Sequence, residues 1–250
     1  MLAYHNDIAI KQKYLSRVIA HHDADEIIKG TYWEKGKGCA VGCTIHGSDH
    51  GKYETELGIP RLLARLEDGI FENLPNDRAK IWPKEFLEAV NVGADLSGIW
   101  PKFAVWLLTD GTHGVLQYAK SDVAKAATQQ VADYYSDYKE ITIGQWREAR
   151  TAAYVAYAAA ADAAAAAADA AYAADAADAA ADAAAYADAA AYAAAYAAAY
   201  AYAAAYAAAY AAAYADAAAY AAYAPAYAAA RSTHRIAQAD KLLELLRECK

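Results

Sequence analysis

The sequence predicts an all-α protein: a compact N-terminal helical domain followed by a long, heptad-phased alanine/tyrosine helix, either coiled-coil-like or folded back into a bundle. Three observations carry that reading. Through the first 150 residues apolar side chains recur at helical spacing, whereas alternating β-branched runs are hard to find. Residues 151–230 contain 56 Ala, 14 Tyr and 7 Asp, with no Lys, Arg or Gly, and alanine has the highest intrinsic helix propensity. Within that tract the seventeen tyrosines and aspartates from Tyr172 to Tyr227 all fall on four adjacent positions of one seven-residue frame.

The elements follow in order. Ile8, Ile10, Tyr14, Val18 and Ile19 mark a first helix ending near the His21–Asp25 cluster. Pro60 opens a helix carrying Leu62, Leu63, Leu66, Ile70 and Phe71, since proline suits a first turn where its missing N–H had no partner. Pro83 starts another, with Phe86, Leu87 and Val90 inward, and Ser121 caps a stretch from Asp122 to Asp137. Thr142-Ile-Gly-Gln145 has the capping-box form, in which threonine and glutamine side chains satisfy each other's orphan backbone donors. From Gln145 to Ala224 there is neither Gly nor Pro, and at 1.5 Å per residue an unbroken helix would run roughly 120 Å. Pro225 and Arg231-Ser-Thr-His-Arg235 mark an interruption, after which Ile236, Leu242, Leu243, Leu245 and Leu246 form an amphipathic terminal helix. The expected domains are therefore 1–141, 142–230 and 231–250.

With Asp188 at position a of the frame, Tyr202, Asp216 and Tyr223 share that position, and Tyr192, Tyr206 and Tyr220 occupy e. Tyr196 and Tyr210 are b, Tyr200 and Tyr214 are f, and c, d and g hold only alanine until Pro225. A four-residue step overshoots a helical turn by about 40°. Two-residue steps at Tyr200–Tyr202 and Tyr214–Asp216 reset the drift, which gives the coiled-coil period and predicts a left-handed supercoil. The alanine seam admits a second helix at the close end of the packing range, so a homo-oligomer is expected. On the opposite face tyrosine offers large contact area at low entropic cost, making Tyr192, Tyr196, Tyr206, Tyr210 and Tyr220 the candidate binding residues for a protein or small-molecule partner. Two plainer readings stand beside it: tyrosines that fill grooves or meet solvent, and a repeat expanded by slippage and tolerated as a helix.

The seven aspartates of the tract account for most of the formal net charge of −8. The rest of the chain is close to neutral and has no basic stripe for a phosphate backbone or an anionic membrane, so neither nucleic acid nor membrane is an expected partner. No run of eighteen residues combines strong apolarity with absence of charge, and Met1 to Lys13 does not read as a secretory signal. Three cysteines make no disulfide framework, which points to a reducing cytoplasm.

The densest chemical cluster is Gly38-Cys39-Ala-Val-Gly42-Cys43-Thr-Ile-His46-Gly-Ser-Asp-His50. Thiolates and imidazoles are the ligands zinc prefers, so Cys39, Cys43, His46 and His50 are candidate zinc ligands. On one continuous helix they would span roughly 16 Å, too far for a single ion, and a bend at Gly47 would be needed to bring His50 back. Cys39 or Cys43 as a nucleophile with His46 or His50 as base is a second reading. Buried small residues serving close helix packing is a third. His21-His22-Asp23-Ala-Asp25-Glu26 offers further metal ligands, a general base or a solvated helix end. The pairs Glu67/Asp68 and Glu54/Glu56 have no spacing that singles out acid–base work. Trp82, Trp100, Phe103 and Trp106 read as core, and Gly36-Lys-Gly38 is too short for a phosphate loop.

The block Tyr32-Trp-Glu-Lys-Gly-Lys-Gly-Cys-Ala-Val-Gly-Cys43, with Tyr53-Glu-Thr-Glu-Leu-Gly-Ile-Pro60 and Leu66-Glu-Asp-Gly-Ile-Phe-Glu72, resembles a family of uncharacterised bacterial and phage proteins. Members of that family also carry alanine-rich short repeats and end much like Gln238-Ala-Asp-Lys-Leu-Leu-Glu-Leu-Leu246. Where this chain uses Tyr and Asp in the repeat, they use Ser, Arg, Glu or Trp. The resemblance implies a phage or mobile-element context and no known activity. The function expected from the sequence is non-enzymatic: self-association through the repeat helix, and binding or sequestering of a ligand or partner. The alternatives are a metal- or thiol-dependent enzyme built on the Cys39–His50 cluster and a structural filament subunit.

Overall fold

The computed structural model describes residues 1–119, 122–149 and 220–250. Its architecture is all-α: among the described residues the strands are confined to one two-stranded ribbon. In chain order the elements are α1 (Ile8–Asp23), β1 (Trp33–Glu34), β2 (Lys37–Gly38), α2 (Ala40–Ile45), α3 (Gly51–Leu57), α4 (Arg61–Asn73), α5 (Asn76–Ala89), α6 (Ile99–Thr109) and α7 (Asp122–Ser136). Residues 143–149 are helical and begin α8, and α9 spans Tyr220–Glu248. The chain divides into two compact units: Met1–Trp100 together with Arg235–Lys250, and Pro101–His234. Everything from Pro101 to His234 is thus an insertion within the sequence of the first unit.

In the first unit α1 opens under an Asp7 cap, whose Oδ1 accepts from the Ala9 N–H at 2.8 Å. It packs on α2 and α5 through Tyr14 and Val18, while Ile8 stays exposed. Helix α4 starts directly after Pro60 and buries Leu63, Leu66, Ile70 and Phe71 against α2, α3 and α5. The prolines of α5 reverse the sequence reading. The helix begins at Asn76 behind Pro75, and Pro83 lies buried inside it. Ala79, Trp82, Phe86 and Leu87 form one continuous buried stripe across the proline. That burial offsets the single backbone bond Pro83 cannot donate.

The C-terminal segment of the first unit is the end of α9. Ala239, Leu242, Leu243, Leu245 and Leu246 are all buried. The Asn91 side-chain amide donates to the carbonyls of Arg247 and Cys249 at 3.1 and 2.6 Å. Arg78 Nη2 reaches Asp240 at 3.1 Å. The expected break at Pro225 and Arg231–Arg235 is absent, since α9 is one helix from Tyr220 to Glu248. One proline removes one donor, and the rest of the stretch lacks glycine, so helical propensity on both sides carries the backbone through.

The second unit buries Phe103, Leu107 and Leu108 of α6, Ala127, Val131 and Tyr135 of α7, and Trp146 of α8. Rings run from Phe103 to Trp106 (5.8 Å between centroids), on to His113 (5.7 Å) and His234 (5.6 Å). The capping box forms as the sequence predicts. Gln145 N–H donates to Thr142 Oγ1 at 3.3 Å and Thr142 N–H donates to Gln145 Oε1 at 2.9 Å. The cap assigned to Ser121 and the repeat from Tyr172 to Asp216, with Tyr192, Tyr196, Tyr206 and Tyr210, lie outside the described residues. Tyr220 is the first residue of α9. Among the described residues no helix is long and apolar enough to cross a membrane.

Candidate functional site

The Gly-Cys-Ala-Val-Gly-Cys block owes its glycines to one carbonyl. Residues Trp33–Gly38 form a hairpin whose two-residue turn, Lys35 and Gly36, has positive φ at both positions (51° and 85°), the geometry that matches strand twist. The hairpin lies directly on α2, held by Cys39 N–H to Thr31 O at 2.8 Å and Ile28 N–H to Gly38 O at 2.8 Å. A Cβ at Gly38 would sit 2.1 Å from the Tyr32 carbonyl oxygen, and one at Gly42 only 1.3 Å from it. The small residues do serve close packing, but what approaches is the backbone of Tyr32, entering the hairpin, rather than a second helix.

That arrangement separates the four sequence-predicted metal ligands. Helix α2 ends after six residues because His46 turns left-handed (φ 52°), one residue before the bend expected at Gly47. Cys39 is the N-cap of α2, with its Sγ accepting from Gly42 N–H at 3.4 Å. Cys43, fully buried, points its thiol at the Gly38 carbonyl, 3.3 Å away. His46 stacks on Trp33 with centroids 4.2 Å apart. His50 packs edge-on to Tyr32 and places Nε2 3.4 Å from Asp68 Oδ2. Cys39, Cys43, His46 and His50 are therefore not gathered around one point. Among the described residues, the one group of three or more ligand atoms within 4.8 Å of each other is Cys39, Asp68 and Glu72.

Asp68 and Glu72 are the residues the sequence reading passed over. They stand four apart on α4, hence on one helix face, and that spacing was the available signal. Glu72 is fixed by Gly30 N–H, which donates to both of its carboxylate oxygens at 3.0–3.1 Å. Burial and the neighbouring Asp68 charge push the Glu72 carboxyl above its ordinary range. The same two causes raise the Cys39 thiol far above its usual value. Burial pushes the Cys43 thiol up to about 12. Protonated thiols of this kind are poor nucleophiles, so neither cysteine is set up as an attacking group.

A second polar cluster joins residues far apart in sequence. His21, at the end of α1, binds Glu26 Oε2 through Nδ1 at 2.6 Å and faces His46 Nε2 through its own Nε2 at 2.9 Å. Trp33 covers both rings. Burial, followed by the charges of Arg17 and His21, lowers the His46 pKa.

Beneath these clusters lies a buried carboxyl. Glu67 is fully buried: Tyr53 Oη donates to Oε2 at 2.7 Å, and Trp82 Nε1 donates to the Glu67 backbone carbonyl at 3.0 Å. Oε1 has no hydrogen-bond partner. Burial holds the Glu67 carboxyl well above the usual 4.5, with the Asp68 charge adding to it. A raised folded-state value means full support for the fold below about pH 4.5 and loss of that support as pH climbs through the raised value. Glu67→Gln is therefore expected to flatten the pH dependence. In urea melts at pH 5 and pH 8, the stability difference should shrink by about 1–3 kcal/mol, the cost of a buried polar group left unpaired. An unchanged difference would show that another group sets it.

Comparison of the chain with protein-family models, with curated proteins and with solved structures finds no match.

Proposed function

We propose that the protein is a non-enzymatic interaction protein that self-associates through the alanine seam of its repeat and engages a partner protein or small molecule with the tyrosine face. The observation that carries this is the confinement of seventeen tyrosines and aspartates to four heptad positions. A face kept in register by two phase resets is what a repeated contact requires. Its placement supports the same reading. The tract belongs to an insertion, Pro101–His234, flanked on both sides by sequence of the same first unit, so both ends of the insertion are anchored in one folded unit. The raised cysteine thiols count against the thiol-enzyme alternative. A cytoplasmic setting and a role in phage–host conflict fit the odd cysteine count and the resemblance of the Cys39 block.

Light scattering coupled to size exclusion tests this on the full chain and on a chain in which residues 151–219 are replaced by a short Gly/Ser linker. The full chain should be an oligomer and the replaced chain a monomer. Equal oligomeric states in the two would remove self-association through the repeat. Replacing Tyr192, Tyr196, Tyr206 and Tyr210 by alanine should keep the oligomer, because the c, d and g positions are unchanged.

A further inference from the structure

We propose that Cys39, Asp68 and Glu72 bind one divalent cation of the zinc class, with His50 as a positioning residue. Three segments meet here: the start of α2 supplies Cys39, α4 supplies Asp68 and Glu72, and the residue preceding α3 supplies His50. The three ligand atoms already lie within 4.8 Å of each other. With metal–sulfur and metal–oxygen bonds of about 2.3 and 2.1 Å, tetrahedral ligands stand about 3.5 Å apart. Closure therefore asks for shifts of the ligand atoms of about 1 Å.

A second observation, independent of the clustering, points to a ligand. Asp68 Oδ1 is buried and accepts no hydrogen bond of ordinary geometry, while the Cys39 thiol and the Tyr32 hydroxyl reach the same carboxylate; buried carboxylate oxygens are normally fully paired. Its sister oxygen, Oδ2, is oriented by His50 Nε2 at 3.4 Å, and the His50 side chain is only 10% exposed. An imidazole that orients a carboxylate while leaving one carboxylate oxygen unpaired is the outer layer that metal-binding carboxylates commonly have. Glu72 is held by the Gly30 N–H, which donates to both of its carboxylate oxygens, and Cys39 Sγ accepts the Gly42 N–H, a bond that favours thiolate.

The donor set selects the cation. A thiolate disfavours magnesium and calcium, which take oxygen ligands, whereas zinc accepts sulfur, nitrogen and oxygen together. Asp68 and Glu72 repel one another and hold the Cys39 thiol protonated, and a dication relieves that repulsion. On binding, the Cys39 thiol proton leaves to solvent and the sulfur lone pair bonds to the metal, so each cation bound at Cys39 releases one proton and affinity rises with pH. Three protein ligands leave a fourth tetrahedral position for water. The site is separate from the repeat, and its failure would leave the self-association reading standing.

Cobalt(II), which takes zinc sites and is coloured, provides the test. The full-length protein is stripped with chelator, checked for retained helicity by circular dichroism and titrated with cobalt. The expected result is a sulfur-to-cobalt charge-transfer band that saturates at one equivalent and is displaced by zinc. Cys39→Ser should abolish the band, while Cys43→Ala, Cys249→Ser and His21→Ala keep it. Asp68→Asn and Glu72→Gln should each weaken binding by at least about tenfold, and His50→Ala by about tenfold, the range seen on loss of outer-layer partners. The proposal is overturned by any of three outcomes: no band at millimolar cobalt, a band that survives Cys39→Ser, or unchanged affinity in both Asp68→Asn and Glu72→Gln.

Discussion

A chain ending at His234 is expected to lose the cooperative fold of its first hundred residues, although the cut lies 134 residues beyond them. The first unit is completed by Arg235–Lys250, and that segment buries Leu242, Leu243, Leu245 and Leu246 at 6% exposure or less. Burying a leucine contributes about 1.5–3 kcal/mol, so the four together contribute about 6 kcal/mol or more. A domain of this size has only about 5–15 kcal/mol of net stability. The truncation also takes away the carbonyls that accept from Asn91 and the carboxylate that meets Arg78. Thermal melts of the full and truncated chains, followed by tryptophan fluorescence, give the comparison. Leu246→Ala is the milder version and should lower stability by about 2–5 kcal/mol. A truncated chain that melts like the full one would mean that Met1–Trp100 is self-sufficient.

Gly42→Ala is the second large effect. Its Cβ would lie 1.3 Å from the Tyr32 carbonyl oxygen, well inside van der Waals contact, and the obstacle is backbone rather than a flexible side-chain end. The hairpin has little freedom to withdraw, because Trp33 pairs with Gly38 and Cys39 N–H holds the Thr31 carbonyl. Overpacking a tight interior costs about 1–3 kcal/mol, and a backbone clash belongs at or above the top of that range, about 3 kcal/mol. Gly69 is the contrast. It lies within α4 with nothing within 4 Å of its Cβ position, so Gly69→Ala should stabilise by about 0.5–1 kcal/mol. Urea midpoints of the two variants should move in opposite directions; a shift in the same direction would contradict the packing account.

Local grammar carried much of the fold into the sequence. The capping box at Thr142–Gln145 and the helix behind Pro60 depend on neighbours within a few residues, and periodicity or cap chemistry reports such neighbours directly. Pro83 shows where that grammar fails. A proline reads equally as a first turn or as an interior residue, and the decision rests on whether Trp82 and Phe86 have something to bury against. The hairpin was hidden for another reason: four strand residues around Lys35-Gly36 are too few to show alternation. At the site, Cys39 and His50 stand out because their side chains are rare and soft. Asp68 and Glu72 do not, since acidic residues four apart also describe any solvated helix flank. Only the hairpin's descent onto α2, imposed by Gly38 and Gly42, reveals that this flank faces a thiol.

The discontinuous first unit also bears on how the tract can change through time. If the first hundred residues need Arg235–Lys250 to fold, as predicted above, closing across the insertion of 134 residues costs about 4 kcal/mol as chain entropy. That penalty grows only logarithmically, so doubling or halving the insertion alters it by about 0.6 kcal/mol. Whole heptads can thus be gained or lost between His234 and Trp100 with almost no effect on the folding of the body that carries them. The length of the repeat is thus free to vary without cost to the first unit, while the anchor stays the same.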